Sequence, residues 1–144
     1  TASGMQGMRI LQRQEGNLMK TPKDPRHVAR QEIVKILFAE SFTKQPNRNQ
    51  TVKNILLNLT AIDNTISTIA PEFPIDKINK VDLAILRLGV YEITIDKTQP
   101  KKVIIDEAVE LAKEFGGDTS ASFINGALGK LVKDLEHENT SVQK

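Results

Sequence analysis

The chain has 144 residues, enough for one domain with a single buried core. Hydrophobic residues make up 39% and charged residues 26%, a balance that excludes wholesale disorder. There is no cysteine, which excludes a disulfide scaffold and every thiolate metal site, and aromatics at 4% leave the core to Ile, Leu, Val and Ala.

The net charge of +2 is unevenly spread. Residues 1–30 hold six basic side chains (Arg9, Arg13, Lys20, Lys23, Arg26, Arg30) against two acidic ones (Glu15, Asp24), a net of +4 that leaves −2 for the rest. A basic entrance on a slightly acidic body suits a polyanionic partner at one end. Residues 1–23 read as a flexible basic leader, whose opening TASGMQGM has the look of a tag remnant and carries no weight. No apolar run approaches the roughly 20 residues needed to span a bilayer, and the start lacks the apolar stretch of a secretory signal. The chain therefore reads as cytoplasmic, with no membrane partner.

The first helix begins at DPRHVARQEIVKILFAESF, with Asp24 as N-cap and Pro25 at the first helical position. Ala29, Ile33, Ile36 and Leu37 follow at helical spacing and predict its buried face. The polar TKQPNRNQ ends it. A second helix is predicted from about Thr51 to Ala70, where Val52, Ile55, Leu59, Ile62, Ile66 and Ile69 alternate steps of three and four. PEFP stops it with two prolines, and Ile75–Ile78 suit a short helical turn. A third long helix spans about Asn79 to Ile95 and buries Val81, Ala84, Ile85 and Leu88. After DKTQP comes a fourth, KKVIIDEAVELAKEF, with Ile104, Ala108, Leu111, Ala112 and Phe115 on one side.

Gly116 and Gly117 suit a left-handed C-terminal cap for that helix. The last helix is capped by Asp118, Thr119 or Ser120 and carries Ile124, Leu128, Leu131 and Leu135. Gly126 and Gly129 inside it cost about 1 kcal/mol each against Ala, which predicts that another helix approaches closely there. The tail from residue 137 to 144 is polar and expected to fray. With no alternating strand pattern, the prediction is an all-α fold. It is a compact bundle of about five main helices, forming a single domain over residues 24–136.

Little in the chain suits catalysis. His27 and His137 are the only histidines, and neither has a triad partner or fellow ligand nearby in sequence. Asp106, Glu107 and Glu110 lie within about a turn of each other, the usual pattern of a solvated helix face. No phosphate-loop spacing occurs. The basic helix start is more informative. Arg26 and His27 fall in its first turn and Arg30 one turn on, where the helix dipole disfavours cations by some tenths of a kcal/mol. A phosphate would reconcile that arrangement, because backbone N–H groups and arginines would point at one anion. Phe38 lies further along the same helix, with Phe42 beyond it, and an aromatic beside a basic patch suits stacking on an unpaired base. Phe123 has the same potential.

Three segments, ARQEIVKILFAESF, INKVDLAILRLGVYEI and KVIIDEAVELAKEFGGDTSASFINGALGKL, resemble the bacterial transcription antitermination factor family NusB over roughly residues 25–132. VDLAILRLGVYEI and FINGAL are the most specific stretches. The resemblance implies an all-helical fold of two small subdomains and an RNA-binding adaptor rather than an enzyme, with no cofactor. Such proteins pair with NusE, a small-subunit ribosomal protein, and the pair binds single-stranded boxA elements of nascent ribosomal RNA. It then joins the elongating RNA polymerase with other Nus factors; some members also form homodimers. By position, the resemblance assigns RNA contacts to Arg26, His27, Arg30, Phe38, Asp118, Thr119 and Phe123, and a NusE-facing place to Asp82. Tyr91 and Asn125 fall in family motifs as structural residues.

The chain departs from the family pattern in three places. One helix is missing between the first helix and residue 51, replaced by the polar segment 44–50. Val28 stands where arginine is common, and Ala70 where an aromatic can stand near RNA. NusB-like domains also occur fused to ribosomal RNA cytosine methyltransferases, so an RNA-positioning role beside such an enzyme is one alternative. A protein–protein scaffold without RNA binding is another.

Overall fold

The computed structural model describes residues 24–46 and 48–142, with side chains as far as Glu138. The predicted basic leader, residues 1–23, lies outside the described residues. Six α-helices and no strand occur among the described residues: α1 (Pro25–Glu40), α2 (Gln50–Leu57), α3 (Leu59–Ile69), α4 (Lys80–Tyr91), α5 (Lys101–Phe115) and α6 (Asp118–Val142). A 3₁₀ turn, Ile75–Lys77, precedes α4, and a π-helical segment, Glu92–Asp96, continues it. None of the described helices is long and apolar enough to cross a membrane.

The central element is α4, which touches all five other helices. Nine of its twelve residues are buried, Leu83 to Leu86 consecutively, and a helix apolar on every side belongs inside a bundle. Asn79 caps it by accepting from Val81 N at 2.8 Å. Gly89 provides the close approach in this bundle, since a Cβ there would stand 2.9 Å from Leu128 Cδ1 of α6. The close approach expected at Gly126 and Gly129 is absent: a Cβ at either would meet nothing within 4 Å. Gly126 is exposed and Gly129 half-buried, so the spacing of glycines alone did not reveal the contact face.

The predicted second helix is two. Asn58 interrupts it with φ −108° and ψ 17°, and its side-chain Nδ2 donates to Asn54 O at 2.7 Å. A short amide that bonds its own backbone competes with the helix ladder. The result is a bend that lets Val52 and Ile55 of α2, then Ile62, Ile66 and Ile69 of α3, face one core. Arg87 of α4 clamps α3 through a bidentate pair with Asp63 at 3.0 and 2.9 Å.

In the polar connection between α1 and α2, Glu40 ties the chain down. Its carboxylate accepts from Gln45 N at 3.0 Å and from Arg48 Nε at 3.1 Å, and Arg48 holds its pKa below the usual carboxylate range. Asn49 then caps α2 by accepting from Val52 N at 2.8 Å. At the other end, Gly116 N and Gly117 N both donate to Ala112 O at 2.8 Å, and Gly117 takes φ 111°. Gly117 O accepts from Ala121 N at 3.0 Å, so Asp118, Thr119 and Ser120 lie within the first turn of α6 rather than at its cap. The helix runs on to Val142.

Candidate nucleic-acid interface

The start of α1 was expected to present three cations outward. Asp24 caps the helix as predicted, accepting from Arg26 N at 2.9 Å, and Arg26 is exposed. Arg30 is turned inward. It occupies a core position of the buried stripe Arg30, Ile33, Val34 and Leu37, is only 7% exposed, and donates from Nε and Nη2 to both oxygens of Glu92 at 2.8 Å. Such a bidentate pair is the arrangement in which a buried guanidinium is tolerated. The Glu92 carboxylate pushes the Arg30 pKa further up, with burial opposing. Glu92 reaches Arg30 because it opens the π-helical segment, whose wider turn ends at Lys97 in a left-handed conformation, with Lys97 N donating to Glu92 O at 2.9 Å.

His27 is also paired within the molecule. One ring nitrogen, Nε2, meets Glu114 Oε1 at 2.5 Å, and the other, Nδ1, meets Glu107. Gln31 donates to the second oxygen of Glu114 at 2.6 Å. The Glu114 contact, opposed by burial and supported by Glu107, raises the His27 pKa to about 9. Burial alone would raise Glu114, yet the hydrogen bonds from His27 and Gln31 outweigh it and hold its pKa below the carboxylate range. Glu107, expected on a solvated face, is therefore half-buried in an ion-pair network, while its neighbours Asp106 and Glu110 are exposed. Sequence reasoning missed Glu92, Glu107 and Glu114. Glu107 and Glu114 are two turns apart on one face of α5, a spacing that signals a shared neighbour.

These contacts fix the relative position of several candidate residues. Glu114, in the last turn of α5, holds the start of α1 through His27, and Arg30 sets that start against Glu92 just past the end of α4. Asp118 and Thr119 are exposed at the start of α6, where Ser120 approaches Asp82 in the first turn of α4, so Arg26 and His27 lie toward one end of α4 and Asp118 and Thr119 toward the other. Phe123 follows about a turn later, half-buried, and packs edge-on to Phe73 with ring centroids 5.6 Å apart and planes at 90°. Phe73, of the PEFP stop, is 45% exposed, whereas Ala70 is buried. Phe123 borders an open groove lined also by Pro71, Glu72, Gly126 and Lys130.

Phe38 stands about 18 Å from Arg26 along α1, at 1.5 Å rise per residue. It pairs edge-on with Phe42 at 5.1 Å, and Lys80 Nζ lies 5.9 Å from the Phe42 ring centroid. Phe38 is 37% and Phe42 65% exposed, an apolar patch with a cation at its edge. Asp82, in the first turn of α4, is 8% exposed, and its Oδ1 has no hydrogen-bond partner among the described residues. Burial raises its pKa, with Ser120 opposing. Tyr91 is buried and accepts from Asn54 Nδ2 at 3.2 Å, a structural role; Asn125 is exposed. Among the described residues no cluster of acidic or histidine side chains has the geometry of a metal site.

Residues 27–133 match the NusB family profile. The Transcription antitermination protein NusB of Acetivibrio thermocellus is 50% identical over 82 residues, covering 57% of this chain and 57% of the relative. Its counterpart in Lachnoclostridium phytofermentans is 41% identical over 95 residues, covering 65% and 72%. The chain thus spans little more than half the length of the first of these curated relatives. The T. maritima NusB structure superposes with a TM-score of 0.69 at 30% identity, over 77% of this chain and 92% of that one. A structure of antitermination factors NusB and NusE in complex with dsRNA superposes at 0.67 over 76% and 96%, and its 21% identity makes that a likeness of fold. With most of its length matched by the family profile and its helices arranged as in these structures, the chain belongs to the NusB family.

Proposed function

We propose that this protein is a cytoplasmic RNA-binding antitermination adaptor, not an enzyme. It pairs with NusE, and the pair binds boxA-type single-stranded elements of nascent ribosomal RNA and joins the elongating RNA polymerase with other Nus factors. The observation that carries this reading is the edge-on Phe73–Phe123 pair, with exposed Asp118 and Thr119 about a turn before Phe123. The pair provides a face for an unstacked base, Asp118 and Thr119 offer acceptors and a hydroxyl to base edges, and exposed Arg26 at the start of α1 meets a phosphate elsewhere along the strand. Phe73 supplies an aromatic close to where Ala70 does not. The names of the relatives and the NusE–RNA complex of a protein of the same fold support it.

The exposed Phe38–Phe42 patch with Lys80, distant from Arg26, suits a protein partner better than RNA. A two-face test follows. Arg26→Ala is expected to weaken RNA binding and flatten its salt dependence by about 0.7 in the log–log slope while sparing NusE. Phe42→Ala is expected to weaken NusE binding while sparing RNA. Loss of neither interaction in either variant would refute the assignment of faces.

A further inference from the structure

The start of α1 carries cations that a polyanion would be expected to use, yet His27 and Arg30 are already occupied. Within one connected network, two cationic side chains face three carboxylates: Glu92 on the π-helical segment, Glu107 and Glu114 on α5. Arg30 is buried with both oxygens of Glu92 and cannot reach solvent without leaving a charge uncompensated. His27 differs, because its side chain retains 19% exposure and stands beside exposed Arg26. What stops it from meeting a phosphate is that both ring nitrogens are engaged. Glu114 is itself held in place by Gln31, which donates to its Oε2 while Oε1 takes the hydrogen-bond position on Nε2 that a phosphate oxygen would need.

We infer that Glu114, together with Glu107, is an internal competitor for RNA: the α5 carboxylates hold His27 in place of phosphate and set the affinity of the α1 start downward. The inference rests on the RNA-binding reading above. Binding through His27 then exchanges one anion for another, so the imidazolium contributes its hydrogen bond to RNA only after Glu114 is displaced. Arg26 is the cation of this turn that engages RNA without such an exchange. Asp106 and Glu110, on the same helix but exposed, provide the comparison, since neutralising one of them removes the same charge without freeing His27.

The test is a titration of a fluorescent single-stranded boxA RNA with the parent chain and its variants at 50 and 200 mM salt. Glu114→Gln keeps the side-chain shape and removes the charge. At pH 6, where an imidazole near its ordinary pKa still carries its proton, it is expected to bind about threefold more tightly at low salt, the order of one exposed ion pair gained by the released His27. One newly available cation steepens the log–log salt slope by about 0.7. Glu107→Gln should shift both in the same direction, and serves if Glu114→Gln folds poorly by circular dichroism. Glu110→Gln should leave both unchanged, and adding His27→Ala to Glu114→Gln should remove the gain. Binding by Glu114→Gln and Glu107→Gln no tighter than that of the parent, or matched by Glu110→Gln, would overturn the competitor role while leaving the RNA reading intact. No RNA binding by the parent or any variant would overturn the RNA reading, and the competitor role with it.

Discussion

His27 links the stability of the bundle to pH, and the size of the effect follows from its surroundings. A rise in pKa from 6.5 to about 9 corresponds to about 3 kcal/mol, an upper figure because the side chain is 19% exposed and solvent screens part of it. The sign is set by the raised value. Below pH 6.5 the ring is protonated both folded and unfolded, and the folded form has the full benefit of Glu114 and Glu107. Between 6.5 and about 9 the unfolded ring is neutral while the folded one must still hold its proton, so the contribution shrinks and is lost above about 9. The lowered pKa of Glu114 describes the same attraction from its partner's side and is not added; it appears instead as a loss of stability when pH falls below the usual carboxylate range. The other charged groups near the pair are Arg30, Lys35 and Asp24. Urea unfolding of the parent and His27→Gln, followed by far-ultraviolet circular dichroism from pH 5.5 to 10, isolates the term. The difference between the two proteins is expected to be about 2–3 kcal/mol at pH 6 and to fall below about 1 kcal/mol by pH 10. A difference constant across that range, or an NMR titration that puts His27 below 7, would refute the reasoning.

Glu92→Ala leaves the buried Arg30 guanidinium with only Glu107 at 3.8 Å, and is expected to cost about 3–5 kcal/mol in urea unfolding. Replacing both partners together, Arg30→Met with Glu92→Leu, should recover most of that loss. Gly89→Ala drives a Cβ to 2.9 Å from Leu128 Cδ1 and is expected to destabilise by about 1–2 kcal/mol despite the better helix propensity of Ala. Gly126→Ala meets nothing within 4 Å and should stabilise by up to about 1 kcal/mol, raising the thermal midpoint.

Most helix positions were legible in the sequence because their signals are local. Asp24 with Pro25, the apolar steps along residues 51–70 and the Gly116–Gly117 stop each depend on neighbours within a few positions. The candidate site was legible as a set of residues but not in its electrostatics. Arg30 meets Glu92 across 62 positions, and His27 meets Glu107 and Glu114 across 80 and 87, pairings that periodicity does not encode. For the same reason Arg30 was taken as surface and Ala29 as core, when the stripe that packs on α4 begins one residue later. The break at Asn58 depends on one side-chain amide choosing its own backbone, a choice that the surrounding apolar pattern conceals. Phe73 passed as part of a proline stop because its value lies in the ring of Phe123, fifty residues on.

The most direct measurement is a titration of labelled boxA RNA and a scrambled RNA of equal length with this protein, with and without NusE from the same organism, at two salt concentrations. Tighter binding to boxA that sharpens when NusE is added is the expected result. Equal, salt-sensitive binding to both RNAs, unchanged by NusE, would contradict an antitermination adaptor and reduce the α1 start to a non-specific electrostatic patch.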